Sequence, residues 1–530
     1  MKGKQAACPA CAGPVRFQVS SSLVTVCTYC HSVVARGDKR LEDLGKVADL
    51  VATESPLKVG LHGQYEGKRF TLVGRSQYRH AAGGVWDEWY AAFPGNRWGW
   101  LAEAQGRFYL TFARKPSQET PLPPFGGLEI EHRLALGTKG EFTVAEVGTA
   151  TALSAEGEIP YRFVPNETLN YADLYGPDSS FATLDYSDDE PRLYLGREVS
   201  LDEIGISTAA RGDDAEPAKI SAIQVACPQC GGQLTLVAPD KSERVTCPSC
   251  MSLLDANQGK LKYLQTLSQS EHHPLIPLGT SGALQGVEYT VIGFMARSVT
   301  IEGTEYFWTE YLLYQARKGF RWLINSDKHW SFAKPISAGS VKTSGKTARC
   351  DGRTFKIFQR ALATVRHVLG EFYWKVEIGE EVAATDYIAP PESLSVEITR
   401  PPAGDDATAG QPAAREVNYS LATYMPHAEI EQAFGVKGLP RPFGVAPNQP
   451  SPVDKRIFLW WLVFGLLLAL LDTVFSTGIR EGVDQGMFAV CLAAVSVLPL
   501  GAALYAWGFE KSRWAESQFN PYATYESDED

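Results

Sequence analysis

The feature that most constrains the fold of this chain is an internal duplication that carries four CxxC motifs. The two CxxC pairs near the N-terminus recur 219 and 220 residues later. Other matched motifs follow in the same order, with shifts between 213 and 222 residues: Trp86-x-Glu88-Trp89 with Trp308-x-Glu310-Tyr311, Trp100-Leu101 with Trp322-Leu323, and Gly157-Glu158 with Gly370-Glu371. A shift that changes so little over this length indicates tandem duplication of one module. The chain is therefore expected to contain two halves with a similar fold.

The cysteines of each half have the spacing of a zinc ribbon. Two CxxC pairs separated by 15 or 16 residues supply four thiolates that can converge tetrahedrally on one Zn²⁺ ion. A closed site of this kind has no open coordination position, which predicts a structural metal rather than a catalytic one. Iron and a redox dithiol are the alternatives. The sequence predicts two structural Zn²⁺ sites with these ligands: Cys8, Cys11, Cys27, Cys30, Cys227, Cys230, Cys247 and Cys250.

The segments that follow each ribbon predict a mainly β protein. Residues 69–73 and 288–292 alternate apolar and polar side chains, and glycine-containing turns bound such runs. A short amphipathic helix is predicted directly after each ribbon, near residues 38–52 and 257–269, because apolar residues recur there at helical spacing. The predicted fold class is mainly β, with two repeated modules of a zinc ribbon plus a β-barrel or sandwich, followed by a two-helix transmembrane hairpin.

Two apolar runs near the C-terminus predict that hairpin. Residues 457–475 and 487–507 contain 19 and 21 residues, and each run is long enough to cross a hydrocarbon core of about 30 Å. Basic residues flank the outer end of both runs, so the positive-inside rule places both flanks in the cytoplasm. A buried helical hairpin in a soluble domain is the alternative. We expect a multi-pass protein of the bacterial inner membrane, in contact with the lipid bilayer, with cytoplasmic N- and C-termini.

Composition shifts divide the chain into eight segments. The predicted boundaries are 1–52 for the first zinc ribbon and helix, 53–208 for the first β module, 209–222 for a linker, 223–272 for the second zinc ribbon and helix, 273–435 for the second β module, 436–455 for a Pro-rich linker, 456–509 for the transmembrane hairpin and 510–530 for an acidic tail. The net charge of −11 gives no support to nucleic-acid binding, which usually requires a basic surface.

Recurrent acidic and aromatic residues are the remaining candidates for a binding site. A tryptophan beside a glutamate can hold a cation, although packing within a small β domain is the alternative interpretation. No histidine or nucleophile recurs at matched positions, so no catalytic residue is predicted. The candidate ligand-binding residues are Trp86, Glu88, Trp308 and Glu310.

The repeated pattern resembles a bacterial domain family of unknown function, DUF4178. The resemblance runs from Val59-Gly60 through Trp86-x-Glu88-Trp89-Tyr90 to the Gly157-Glu158 stretch, and again from Leu278-Gly279 through Trp308-x-Glu310-Tyr311 to Gly370-Glu371. Members are similar to membrane-linked proteins whose genes neighbour those for polyamine aminopropyltransferases and membrane-stress proteins. The resemblance implies an envelope or stress association and brings no catalytic residues with it.

Two classes of function agree with these patterns. The first is a membrane-anchored, cytosol-facing scaffold or adaptor whose duplicated modules bind a protein partner or a second copy of the chain, in an envelope-stress or polyamine-linked system. The second is a sensor or enzyme for a small polar or cationic ligand such as a polyamine. The absence of a recurrent catalytic set favours the adaptor over an enzyme.

Overall fold

The computed structural model describes residues 4–36, 41–47, 50, 55–80, 85–104, 106–116, 121–136, 140–188, 190–206, 223–239, 241–257, 260–268, 271–301, 303–316, 318–399, 415–478 and 485–522. The strands of the first half are β1 (Lys4–Ala7), β2 (Pro14–Phe17), β3 (Val24–Val26), β4 (Ser32–Arg36), β5 (Leu41–Lys46), β6 (His62–Tyr65), β7 (Lys68–His80), β8 (Val85–Phe93), β9 (Arg97–Ala104), β10 (Arg107–Arg114), β11 (Arg133–Ala135), β12 (Glu141–Ile159), β13 (Thr168–Tyr175), β14 (Ser180–Asp185) and β15 (Arg192–Val199).

The strands of the second half are β16 (Ile223–Ala226), β17 (Gln233–Leu236), β18 (Arg244–Thr246), β19 (Ser252–Asn257), β20 (Lys260–Thr266), β21 (Ser281–Leu284), β22 (Val287–Ile301), β23 (Thr304–Gln315), β24 (Gly319–Ser326), β25 (His329–Ile336), β26 (Val341–Ser344), β27 (Thr347–Cys350), β28 (Arg353–Phe372), β29 (Glu381–Ala389), β30 (Glu392–Thr399) and β31 (Arg415–Met425). Three helices follow, α1 (His427–Phe434), α2 (Arg456–Gly478) and α3 (Gln485–Arg513).

Each half closes a ring of eight antiparallel strands. The first ring runs β7, β8, β9, β10, β15, β14, β13, β12 and returns to β7. The second runs β22, β23, β24, β25, β31, β30, β29, β28 and returns to β22. Because the two rings share one connectivity, the predicted duplication is a duplication of the fold, and the predicted β modules are barrels.

Strands of the first barrel are covered on both faces. Leu72, Trp89 and Leu101 are almost fully buried in an apolar cluster on one face. Val73 is an extra residue in β7, opposite an uninterrupted part of β8, and this bulge offsets the alternation of side chains. Beyond the bulge, the side chain of Tyr78 therefore lies on the other face of the strand, together with further polar and aromatic side chains.

The predicted short helices near 38–52 and 257–269 are wrong, because the described parts of these ranges form strands β5 and β20. A bulge in β5 lies opposite Val33, and a second bulge places Leu264 as an extra residue in β20. An inserted residue lengthens the spacing of inward-facing side chains from two residues to three. That spacing imitates one turn of an amphipathic helix, which explains the error.

The two barrels pack directly against each other. Strands β12 and β31 pair across the junction, with Glu146 opposite Glu416. A Cβ atom added to Gly339 would lie 2.0 Å from the carbonyl oxygen of Gly176, so the two backbones approach too closely for any side chain at this position. The predicted linker between the halves, 209–222, lies outside the described residues.

The predicted Pro-rich linker 436–455 packs on the second barrel instead of forming a free tether. Leu439 and Asn448 are 7% and 5% exposed, and Asn448 Nδ2 donates to Ser331 Oγ at 3.0 Å. Proline prevents regular hydrogen bonding in a segment but does not prevent side chains from packing. We refer to residues 436–455 as the strap.

The predicted acidic tail 510–530 is also corrected in its described part. Helix α3 continues to Arg513, and Trp514 packs against Phe358 and Ile388 of the second barrel. Ser517 Oγ then donates to the carbonyl oxygen of Phe358 at 2.6 Å. Residues 523–530 lie outside the described residues.

Among the described residues, one helix is long and apolar enough to cross a membrane. It is the stretch Phe488–Arg513 within α3, which is almost entirely exposed. Helix α2 contains a shorter apolar stretch, Arg456–Leu471. The two helices contact each other, and Trp461 Nε1 donates to Ser496 Oγ at 3.0 Å.

Candidate metal centres and a polar cluster in the first barrel

The eight cysteines of the CxxC motifs form two groups of four, as the spacing predicts. In the first group, Cys8 Sγ lies 3.7 Å from Cys30 Sγ, and Cys11 Sγ lies 3.7 Å from Cys27 Sγ. In the second, the matching Sγ–Sγ distances are 3.8 Å. All four sulfurs of each group lie within 4.8 Å of one another. These distances are too long for disulfides, and they suit four thiolates around one metal ion.

Backbone geometry explains how each CxxC motif turns its sulfurs inward. Gly13 N and Gly232 N each donate to the Sγ atom of the second cysteine of their motif at 3.4 Å. His31 follows Cys30 with a positive φ of 59°, and its backbone N–H donates to the carbonyl oxygen of Cys27 at 3.0 Å. His31 therefore forms part of the turn, and it does not belong to the group of candidate ligands.

The hydroxyl groups next to the outer thiols favour the thiolate form. Hydrogen bonding to Ser32 lowers the pKa of the Cys30 thiol to about 6. In the second ribbon, Ser252 lowers the pKa of the Cys250 thiol to about 6. A thiolate is the form that binds a metal, and this serine contact is the same in the two halves.

A buried glutamate fastens each ribbon to its barrel. Glu158 is 4% exposed and accepts hydrogen bonds from Gln18 N at 2.5 Å, Val19 N at 2.9 Å and Ser22 Oγ at 2.6 Å. All three donors belong to the loop between the two CxxC pairs of the ribbon. The carboxylate thus supplies acceptors for backbone groups that would otherwise be buried without partners.

Glu371 makes the same contacts in the second half. It is 3% exposed and accepts from Val237 N at 2.6 Å, Ala238 N at 3.0 Å and Ser242 Oγ at 2.8 Å. Both recurrent glutamates therefore bind backbone N–H groups of the ribbon loop. We call Glu158 and Glu371 the latch glutamates.

The glycine before each latch glutamate is required by a close approach of strands. Gly157 has φ +71°, and a Cβ atom there would lie 2.3 Å from the carbonyl oxygen of Val73. Gly370 has φ +80°, and its Cβ atom would lie 2.2 Å from the carbonyl oxygen of Ile292. Only glycine combines that backbone conformation with that contact. The recurrent Gly-Glu motif therefore positions the latch.

The candidate residues Trp86 and Glu88 lie together on the polar face of the first barrel. Tyr90 Oη donates to Glu88 Oε2 at 3.3 Å, and Trp86 stacks against Tyr78 with ring centroids 5.4 Å apart. Burial, followed by repulsion from the Asp185 carboxylate, raises the pKa of Glu88 to about 7. Trp86 and Glu88 are partly exposed, whereas Tyr78 and Tyr90 are buried, so the two candidates lie beside a packed aromatic cluster.

The matching candidates of the second barrel, Trp308 and Glu310, belong to an ion-pair network. Arg297 Nη1 lies 3.2 Å from Glu310 Oε1 and 3.0 Å from Glu397 Oε1. Trp308 Nε1 also donates to Glu310 Oε1, at 2.6 Å. Burial alone would lower the pKa of Arg297, but the carboxylates of Glu397 and Glu310 raise it above its usual range. The second barrel is therefore filled by its own cation.

A second polar group of the first barrel, missed by sequence reasoning, lies at the junction with the second. His80 Nε2 is 2.8 Å from Glu146 Oε1 and 2.6 Å from Tyr171 Oη. Burial would lower the pKa of His80, but the Glu146 carboxylate raises it to about 9. Burial, followed by repulsion from Glu146, raises the pKa of Asp173 to about 8 and of Glu416 to about 7.

This junction group belongs to the first half alone. Strand registers place Val299, Gln359 and Ala384 where the first half has His80, Glu146 and Tyr171. Asp173 alone keeps its acidic counterpart, Asp386. A comparison of the two halves at each register position could have found the group, but the registers depend on bulges that the sequence does not reveal.

Raising the pH from about 6 to 9 is expected to destabilise the first barrel. The folded-state pKa of Asp173, about 8, exceeds its unfolded value, so its contribution is present below about pH 4 and lost as the pH rises through 8. His80, with a folded pKa of about 9, contributes below about pH 6.5 and loses that contribution as the pH rises through 9. The midpoint of thermal unfolding should fall across this range in the wild type, and fall less in Asp173→Asn. If the unfolding midpoint fell equally with pH in the wild type and in Asp173→Asn, this assignment would be contradicted.

A search against protein families gives one match, in both halves. The model described as "Domain of unknown function (DUF4178)" matches residues 58–201 and 277–415, which together form more than half of the chain. The matched regions contain most strands of the two barrels and exclude the ribbons and helices. No curated protein and no solved structure matches the chain.

Proposed function

We propose that this chain, which belongs to the DUF4178 family through both of its halves, is a membrane-anchored adaptor. In this proposal the two barrel modules face the cytosol at the bacterial inner membrane, and they bind a protein partner at a fixed position relative to the bilayer. The observation that carries the proposal is the firm attachment of the apolar helix α3 to the second barrel.

That attachment involves both polar and apolar contacts. The Arg513 guanidinium, 2% exposed, donates through Nη1 to the carbonyl oxygens of Ala446 at 3.2 Å and Pro447 at 2.7 Å. Trp514, one residue later, packs into the second barrel. A helix held in this way cannot swivel freely, so a membrane that contains α3 would orient the barrels. Such orientation suits an adaptor more than a freely diffusing enzyme.

We further propose that α2 crosses the membrane too, which makes a hairpin with both outer ends on the cytosolic side. The strap that precedes α2 packs on the same barrel that receives the end of α3, and the contact between Trp461 and Ser496 holds the helices together. Lys455, Arg456 and Lys511 lie at these outer ends, as the positive-inside rule requires of cytoplasmic flanks.

We assign both metal ions as Zn²⁺ with a structural role. Four thiolates about 2.3 Å from a tetrahedral ion lie about 3.8 Å apart, which agrees with the Sγ–Sγ distances of 3.7 and 3.8 Å. A reducing cytosol keeps such thiolates available. With all positions filled by the protein, the ions stabilise the ribbons and offer no site for a substrate.

Exposed aromatic residues make the β22–β23 hairpin a suitable surface for a protein partner. Tyr306 and Phe307 near its tip are 45% and 41% exposed, and Leu275 nearby is 41% exposed. His272 lies against Phe307 with ring centroids 5.0 Å apart. Exposed aromatic groups of this kind are enriched at the centres of interfaces.

A photo-crosslinking residue at position 307, in full-length protein in native membranes, is expected to give one major adduct with a single protein. The matched control is the same residue at Lys318, an exposed position near the tip of the adjacent β23–β24 hairpin, which should give little adduct. Mass spectrometry identifies the adduct as another protein or a second copy of this chain. Equal labelling from both positions, or none from either, would contradict an adaptor surface here.

A further inference from the structure

We propose that a loop of the strap, residues 440–444, inserts the side chain of Phe443 into the cytosolic leaflet of the membrane, while Lys437 and Arg441 bind lipid phosphates. We call these residues the Phe443 loop. The loop is then a second attachment of the second barrel to the bilayer, besides the apolar helices. This inference rests on the proposed membrane anchoring by α3, and it adds a surface of the barrel that contacts lipid.

Phe443 has the most exposed side chain among the large apolar residues that the structure describes. It is 82% exposed, whereas the most exposed such residue of the two apolar helices, Leu498, is 75% exposed. Insertion of the ring into lipid removes this apolar surface from water, which is favourable. Phe443 is therefore as accessible to lipid as any side chain of the helices that are proposed to cross the membrane.

The backbone of the Phe443 loop is held against the barrel, which distinguishes Phe443 from an apolar residue scattered on a surface. Phe443 N donates to the carbonyl oxygen of Asp327 at 3.4 Å, and His329 Nε2 donates to the carbonyl oxygen of Phe443 at 2.9 Å. Pro442 restricts the chain before the aromatic residue, and Gly444 follows it with φ +73°, a conformation that favours glycine. The loop therefore presents its ring from a fixed backbone.

The end of α3 relates the position of the loop to that of the membrane. Arg513 donates to the carbonyl oxygen of Ala446, and the three residues from Phe443 to Ala446 span at most about 11 Å. On α3, the Lys511 ammonium lies 5.6 Å from the centre of the exposed Trp507 ring, a pair typical of the headgroup level. Lys511 is only about 3 Å along the helix axis from Arg513. The Phe443 loop is therefore within reach of the same headgroup level.

The charge of the strap matches a lipid surface that carries phosphates. In a chain with a net charge of −11, the strap contains one acid, Asp454, and three basic residues: Lys437, Arg441 and Lys455. Lys437 and Arg441 are exposed, as is Lys328 in the adjoining β24–β25 turn. Basic residues near an anionic leaflet add electrostatic attraction to the insertion of an apolar side chain. An exposed ring among cations therefore favours lipid as the partner of this loop.

The test places an environment-sensitive fluorescent amino acid at position 443 of the full-length protein, in vesicles of phosphatidylcholine and anionic phosphatidylglycerol. A lipid with a doxyl quencher close to its headgroup should remove most of the fluorescence of this probe. The matched control is the same probe at Lys318, an exposed position at the opposite end of β24, a strand about 27 Å long. The control should lose little fluorescence. Arg441→Gln should weaken the quenching at position 443, because it removes one contact with phosphate.

The same probe at Tyr505 of α3 separates a failure of this proposal from a failure of the membrane anchor on which it rests. Quenching at Tyr505 without quenching at position 443 overturns the lipid contact of the loop and leaves the anchor intact. Quenching at neither position contradicts the anchor and the loop contact together. Equal quenching at position 443 and at Lys318 also overturns the proposal. So does a blue-shifted probe at position 443 that the doxyl lipid does not quench, because such a probe is buried against protein.

Discussion

Replacing the latch glutamate Glu371 with alanine is expected to release the second ribbon from its barrel and to lower the free energy of unfolding of this half by about 2–5 kcal/mol. The substitution removes the acceptor for Val237 N, Ala238 N and Ser242 Oγ. Those groups then stay buried without partners or become hydrated when the ribbon detaches. Hydrogen–deuterium exchange should report faster exchange across the ribbon and little change in the barrel.

Glu158→Ala is expected to have the same effect on the first half, since its carboxylate accepts three equivalent hydrogen bonds. The matched control is Glu156→Ala, two residues earlier on β12. Glu156 is 38% exposed and pairs with Arg75, so its loss should cost about 1 kcal/mol or less. If Glu158→Ala and Glu156→Ala lowered the free energy of unfolding equally, Glu158 would have no special role in holding the ribbon.

Replacing a buried cysteine of either ribbon is expected to unfold that ribbon alone. Cys8→Ser removes one of four ligands from the first site, and Cys227→Ser removes one from the second. Metal binding supplies free energy for the folding of a small ribbon. The strands of the affected ribbon should therefore lose their protection from proteases. Cleavage near the second ribbon would separate the chain into two fragments of similar size, each with an intact barrel.

Cys350→Ser is the matched control for both variants. Cys350 is buried, 3% exposed, and lies outside the two cysteine groups. The Cys350→Ser substitution should leave the pattern of protease cleavage unchanged. A ribbon that stays resistant in Cys8→Ser or Cys227→Ser would mean that metal binding does not support its fold.

The two four-cysteine groups and the duplicated barrels were predictable because each depends on a local or repeated signal. CxxC spacing defines four converging sulfurs regardless of the rest of the fold. Alternation of side chains predicts strands such as β7 and β22, and repetition predicts that both halves share one topology. The Gly-Glu motif was also visible as a repeat, although its role required the position of the ribbon loop.

Features that depend on register or on long-range packing were not predictable. The bulges at Val73 and Leu264 shift the alternation of side chains, and the spacing around Leu264 predicts a helix where the structure has a strand. The pairing of Arg297 with Glu397 joins residues 100 positions apart, which no periodicity indicates. The prolines of the strap predict a linker, because a composition of this kind does not reveal the packing of residues such as Asn448.

The central claim is that each half of the chain contains one structural metal ion held by four thiolates. Elemental analysis of the purified full-length protein, beside Cys8→Ser, Cys227→Ser and Cys350→Ser, tests it most directly. We expect two zinc ions per chain in the wild type and in Cys350→Ser, and one in each of the other variants. A wild-type protein without bound metal, or a metal content unchanged by Cys8→Ser and Cys227→Ser, would contradict the claim.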